Sequence, residues 1–253
     1  MNTNLRTHSP NAPIVGKSRL KDFDAMHSGI IFTGWIGKNP MSPERAAALQ
    51  SIFQKSGRPV VFITDETRGD WEVPESPFHP AYPYLSEVHK ADYLRVYVLH
   101  HFGGGYTDIK PVLKSWTPHF EIFSESDGLA LGYPELSPNS VAQLPGELGQ
   151  QLRTHYAELI GVCSLIFRRQ TELTTEWISN THRHLTDHFE TLKQHPARHP
   201  MDRLGVTLPD GSVSKYPFEW TGVGGNQFHP AILKFRHQVM QTADITPQLH
   251  AYR

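Results

Sequence analysis

Three consecutive glycines, Gly103, Gly104 and Gly105, separate a stretch with helical periodicity from one with strand propensity, and this junction constrains the chain more than any other feature. Before it, Ser86 suits a helix N-cap and Glu87 suits the first turn. Val88, Ala91, Leu94, Val98, Leu99 and Phe102 recur at spacings of three and four, which makes one apolar stripe. The glycines end that helix and permit positive φ. After them, Tyr106, Thr107 and Ile109 favour a short strand, in which Asp108 and Lys110 point to the same side. Pro111 limits how far that strand can pair.

Two charges sit on a helix whose other residues want burial. Arg95 falls inside the apolar stripe, and Asp92 lies beside it, three residues earlier. A buried unpaired charge is costly, so the two either pair or bind something charged. The nearest candidates are a ligand and Asp108. One reading is a structural ion pair with Asp108 as a turn residue; the other, favoured by the combination within so short a stretch, is a site.

The segment resembles the sugar-binding region of DXD-containing glycosyltransferases, a group that includes initiating mannosyltransferases, capsule-type sugar transferases and clostridial glucosylating toxins. Members carry Ser-Asp-x-x-Arg on a helix, a Gly-Gly turn, and then Tyr-x-Asp-x-Asp. This chain offers Ala91-Asp92-Tyr93-Leu94-Arg95, followed by Gly103-Gly104-Gly105-Tyr106-Thr107-Asp108-Ile109-Lys110. The resemblance implies a GT-A-like α/β fold, a nucleotide-sugar donor linked to UDP or GDP, and hexosyl transfer to a glycan or other hydroxyl acceptor with retention of configuration. It implies Asp92, Arg95 and Asp108 as catalytic residues, with Gly104, Gly105, Tyr106 and Lys110 around the donor. Upstream, residues 29–37 look like the family's opening strand. The resemblance gives Trp35 a role stacking on the nucleotide base; an ordinary core aromatic is the equal alternative.

One departure stands out. Lys110 occupies the position of the second DXD aspartate. A protonated lysine cannot ligate the divalent cation, Mn or Mg, that the family uses to neutralise the donor diphosphate. Its ammonium can neutralise phosphate directly, as a point charge. The expectation is weakened metal dependence, with a degenerate, catalytically silent nucleotide-sugar-binding site as the competing reading.

Composition bounds the rest. With 253 residues and 38% hydrophobic content, the chain suits one large α/β domain, read as a polar N-terminal arm (1–26) and a domain (27–253). A net charge of −1 gives no general basic footprint for nucleic acid. A transferase modifying a nucleic-acid base stays open as an alternative, through a local groove. The single cysteine, Cys163, forms no internal disulfide and fits a reducing, cytoplasmic compartment. It lies in the apolar run 159–167, where a packing thiol is expected. No run approaches about 18 apolar residues, so no membrane span is expected. Residues 1–13 lack the layout of a signal peptide.

The remaining pass predicts strands at 30–32, 60–63 and 129–131, a helix opening at Ser42-Pro43-Glu44 and ending at Gly57, and helices over 144–153 and 173–194. The stretch 67–84 carries four prolines and reads as a long surface loop. The β-α-β-α-β opening favours a mainly parallel sheet flanked by helices, with ligands beyond the carboxyl ends of the strands. Trp35, Asp65 and Asp108 fall at such ends. Near the C-terminus, 218–230 packs glycines between Trp220, Asn226 and His229. By analogy with loops that close over the donor diphosphate, Trp220 and Asn226 line the donor site and His229 ligates a cation with Asp108. The alternative is a surface loop holding one buried tryptophan. His184 and His188 have ligand-compatible spacing but no third partner, so a solvated helix face is the expectation.

Overall fold

The computed structural model describes residues 17–250. Six strands form one mixed sheet, in the order β2-β1-β3-β5-β4-β6. They are β1 (Ile31–Trp35), β2 (Val60–Thr64), β3 (Gly104–Thr107), β4 (Ala130–Pro134), β5 (Ile160–Phe167) and β6 (Val239–Gln241). β1 pairs in parallel with β2 and β3, and β4 in parallel with β6, while β5 runs antiparallel to both neighbours, β3 and β4. Every strand except β5 therefore points the same way, and the expected mainly parallel α/β sheet is present.

Alternation along the strands feeds two cores. Phe32, Val61, Ile63, Tyr106, Leu165 and Phe167 face the layer built from α2 (Glu87–Phe102), α5 (Glu172–Asp187) and α7 (Gly225–Lys234). Ile31, Val60, Phe62, Leu131 and Ile166 face α1 (Pro43–Lys55) and α3 (Thr117–Ser124). The period of two sorts neighbouring side chains to opposite faces. Each fully buried large apolar side chain contributes about 1.5–3 kcal/mol.

The helix termini follow the sequence. Ser42 Oγ accepts from the Arg45 N–H and Pro43 opens α1. Ser86 caps α2, and Gly103 at φ +65° ends it. Gly104 sits at φ +81°, where a Cβ would lie 2.7 Å from the Ile30 carbonyl oxygen, so both conformation and space demand glycine. Gly105 needs glycine for packing instead, because a Cβ there would meet Ile31, Phe120 and Trp116.

Several expectations change. α2 is buried nearly all round, not along one stripe, because residues 71–85 cover the side that the sheet does not. Those residues belong to the proline-bearing stretch read as a surface loop. Tyr97 Oη accepts from the Val73 N–H at 2.8 Å and Tyr93 Oη from the His79 N–H at 2.9 Å, which ties the stretch down onto α2. The single helix expected over 173–194 is two, α5 and α6 (Phe189–Gln194), broken at His188. His184 and His188 pack on Phe218, with ring centroids 4.7 and 5.2 Å away, and do not form a solvated face. The helix expected over 144–153 is α4 (Gly146–Thr154). In the arm assigned to 1–26, residues 1–16 lie outside the described residues, while Leu20 and Ala25 are fully buried in the core. Among the described residues no helix is long and apolar enough to cross a membrane.

Two tests follow from this packing. Gly104→Ala forces a Cβ against backbone at positive φ, and chemical denaturation will show a loss of about 2 kcal/mol or more. The second concerns the histidines. Burial, reinforced by neighbouring imidazoles, lowers His101 and His182 to about 4 from an ordinary 6.5. A lowered folded value means that the unfolded chain takes up the proton first. This contribution to stability is complete above about pH 6.5 and is lost as pH falls toward 4. Thermal unfolding will show Tm falling by about 5 °C between roughly pH 7 and pH 5, and His182→Asn will flatten that slope.

Candidate functional site

The carboxyl edge of the parallel strands collects the charged residues. β3 ends at Thr107, and Asp108 follows at the strand terminus, its N–H donating to the Cys163 carbonyl at 2.8 Å. The chain then turns, with the Lys110 N–H donating to the Asp108 carbonyl at 2.7 Å. The expected strand alternation at 108–110 is therefore absent; the turn, not the pleat, brings the two side chains together.

Arg95 reaches this edge from the middle of α2. It donates through Nη1 to Asp92 Oδ1 at 2.8 Å and through Nη2 to Asp108 Oδ1 at 2.7 Å. Lys110 Nζ donates to Asp108 Oδ2 at 2.9 Å and to Cys163 Sγ at 2.6 Å. The Arg95 guanidinium also lies 5.0 Å from the centroid of the Tyr106 ring, which it faces. Two carboxylates and two cations thus form a set whose formal charges cancel, with Arg95 Nε left as a buried donor without a partner. The three residues singled out on α2 and just beyond β3, Asp92, Arg95 and Asp108, converge.

Exposure divides their roles. The Asp108 side chain keeps 24% of its surface accessible, against 12% for Asp92, 8% for Lys110 and 4% for Arg95. Asp108 is the most accessible of the four, and Arg95, nearly enclosed, holds it in position. Burial alone would raise the Asp108 carboxyl, but Lys110 and Arg95 outweigh it and hold the group well below the usual carboxylate range. Burial pushes Asp92 up against the opposing pull of Arg95. Burial, with the Asp108 charge, also raises the Cys163 thiol despite Lys110 beside it, so this sulfur is a protonated hydrogen-bond partner and not a thiolate.

The loop 218–225 closes over the outer end of α2. His89 Nε2 donates to the Glu219 carbonyl at 3.0 Å, which leaves Nδ1 to accept from the Tyr216 hydroxyl at 2.9 Å. A Cβ on Gly224 would fall 2.9 Å from Asp92 Oδ2, so this loop backbone lies directly against the carboxylate. Gly225 begins α7, whose first turn carries Asn226.

Beside the charged set lies a cavity of about 360 Å³, between the end of β4, the start of β5 and the first turn of α7. Cys163 belongs to both, as the partner of Lys110 and as part of the cavity wall. Asn226 and His229 line the cavity. His229 Nδ1 accepts from the Ala142 N–H at 3.0 Å, so its ring proton sits on Nε2, which donates to Glu135 Oε1 at 3.0 Å. A cation on His229 would have to displace one of these partners. Each oxygen of Asp108 likewise already holds a cationic side chain, and a divalent ion there would meet Arg95 and Lys110. This donor set does not fit a metal. Among the described residues, no group of three or more His, Cys, Asp or Glu could hold one.

The other expected donor-site residues are spread along the edge. Trp35 is half-buried at the end of β1, its Nε1 donating to the Asn39 carbonyl at 3.0 Å. Trp220 is 39% exposed, with the Arg203 guanidinium 5.6 Å from its ring centroid, so the alternative of one buried tryptophan in this loop does not hold. Gly104, Gly105 and Tyr106 are buried structural parts of β3. Lys110, expected to meet phosphate, is 6% exposed and turned into the charged set. Glu135 and His89 carried no sequence signal. The position of Glu135 depends on a register shift near the end of β4, between Gly132 and Pro134, and no motif marks it.

Comparison with protein-family models, with curated proteins and with solved structures finds no match for this chain.

Asp108 is the shared counter-charge of two buried cations. Asp108→Ala leaves Arg95 and Lys110 without it and will cost about 3–5 kcal/mol in urea denaturation, with Asp108→Asn losing less because it keeps the shape and the acceptor oxygen.

Proposed function

We propose that the protein transfers a hexose from a nucleotide-sugar donor to a hydroxyl acceptor on a GT-A-like fold. The observation that carries this reading is the convergence of Asp92, Arg95 and Asp108, through bonds of 2.7 and 2.8 Å, at the carboxyl edge of a mostly parallel sheet and next to a cavity. The spacing and residue types of the glycosyltransferase sugar-binding motif give it its chemical identity.

In this reading Asp108 accepts hydrogen bonds from donor hydroxyls. Its oxygens retain lone-pair capacity beyond the bonds from Arg95 and Lys110. Asp92 and Arg95 fix its orientation, so the geometry is set before the donor arrives. Lys110 and Arg95 cancel the carboxylate charges beneath the departing diphosphate, so that it meets no net repulsion there without a divalent ion. Retention of configuration follows from the resemblance and requires no dedicated base.

The rival reading, a binder of nucleotide sugars without turnover, is favoured by one observation: Lys110 spends its ammonium on Asp108 and Cys163. A hydrolysis screen over UDP-, GDP- and dTDP-sugars, with Mn²⁺ and with excess chelator, separates the two. The transferase reading expects donor turnover that persists in chelator and falls about 100-fold or more in Asp108→Asn. Donor binding by calorimetry without turnover supports the binder. Indifference of turnover to Asp108→Asn removes Asp108 from the mechanism.

A further inference from the structure

The cavity beside the charged set has a chemical bias of its own. Among the described residues lining it there is no lysine or arginine, and there are two carboxylates, Glu135 and Glu219. An anionic group entering it would meet repulsion with no counter-charge in the wall.

Its polar groups point to the opposite kind of ligand. Glu135 is 8% exposed and rigidly held. Its N–H donates to the Leu159 carbonyl at 3.0 Å, and Oε1 accepts from His229, which is fixed in turn by the Ala142 N–H. Only one of the two carboxylate oxygens is used in this chain of bonds, so Oε2 retains its full accepting capacity. Asn226, on the first turn of α7, has a buried amide oxygen with no hydrogen-bond partner. Glu135 and Asn226 thus each bring an acceptor without a protein donor to the residues lining one cavity. Asn226 Oδ1 is the buried one, and a buried acceptor left open carries a penalty that a ligand's donor removes; Glu135 Oε2 is not among the buried unpartnered atoms and is an accessible acceptor.

We infer that this cavity binds a donor-rich, non-anionic sugar, with Glu135 Oε2 and Asn226 Oδ1 accepting from its hydroxyl or ammonium groups. An uncharged polyol and an amino sugar share this chemistry; a sugar phosphate does not. On the transferase reading the cavity is the acceptor subsite. It meets the donor machinery at Cys163, whose sulfur accepts from Lys110. That assignment rests on the proposed activity, whereas binding to the cavity does not.

The test is calorimetry on the full chain, without nucleotide sugar, using methyl glucoside, glucosamine and glucose 6-phosphate as probes. The expected result is binding of the first two, with glucose 6-phosphate at least tenfold weaker. Glu135→Gln keeps an acceptor for His229 but removes the charge, and is expected to weaken glucosamine about tenfold or more and methyl glucoside less. Asn226→Ala, at a half-buried position, is expected to weaken both, and it reports on the cavity even if the Glu135 variant does not fold. Tighter binding of the phosphate, no binding of methyl glucoside and glucosamine, or binding unchanged in Asn226→Ala would overturn the inference. A protein that binds these probes but hydrolyses no nucleotide sugar keeps the cavity assignment and loses the transferase reading. One that hydrolyses donors but binds no probe does the reverse.

Discussion

A guanidinium buried between two carboxylates organises this molecule. Arg95 sits in the middle of α2, almost without solvent, and its bonds to Asp92 and Asp108 join that helix to the end of β3. Removing one partner from such a set leaves a charge that the interior cannot solvate. The geometry of the junction is therefore as strongly constrained as any apolar packing in the fold. The glycines between helix and strand make it possible, because Gly103 and Gly104 turn the chain back through conformations that side chains rarely adopt.

The neutrality of the set shapes what the site can do. Lys110 balances the second half of Asp108, so the carboxylate is ionised and oriented without help from an ion. Preorganisation of this kind suits a ligand bound through hydroxyl groups, because the acceptor is already fixed. The adjoining cavity follows a different logic. Its walls carry carboxylates and open acceptors without cations. The edge of the sheet is thus divided into a charge-compensated half and an acceptor-rich half, with Cys163 between them.

Local signals were legible where the physics is local. Ser42, Pro43, Ser86 and Gly103 mark helix ends because capping depends on residues a few positions apart. β1 and β2 stand where their apolar runs placed them, β1 starting one residue later and ending three later and β2 ending one later. Less legible was β5. Its residues, mostly apolar and interrupted only by Gly161 and Ser164, show no alternation because both faces are covered, and periodicity cannot distinguish such a strand from a buried helix. The 67–84 stretch misled for a related reason. Its prolines announce a loop, but its own Trp71, Val73, Ala81 and Tyr82 are buried in the core, and the tyrosines of α2 that hold it down belong to a different segment.

The sequence by itself determined the helix–glycine–strand junction, the α/β class, and the presence of Asp92, Arg95 and Asp108 at spacings compatible with one site. These are properties of short windows, where backbone preference and side-chain periodicity act directly. Only the tertiary structure decided that Lys110 joins the charged set and does not point outward, that Cys163 links that set to a cavity, and that Glu135 bonds His229 and shares a cavity wall with Asn226 across nearly a hundred residues of chain. Those contacts depend on the antiparallel insertion of β5 and on the register shift in β4, which arise from packing between distant segments and leave no trace in any one of them.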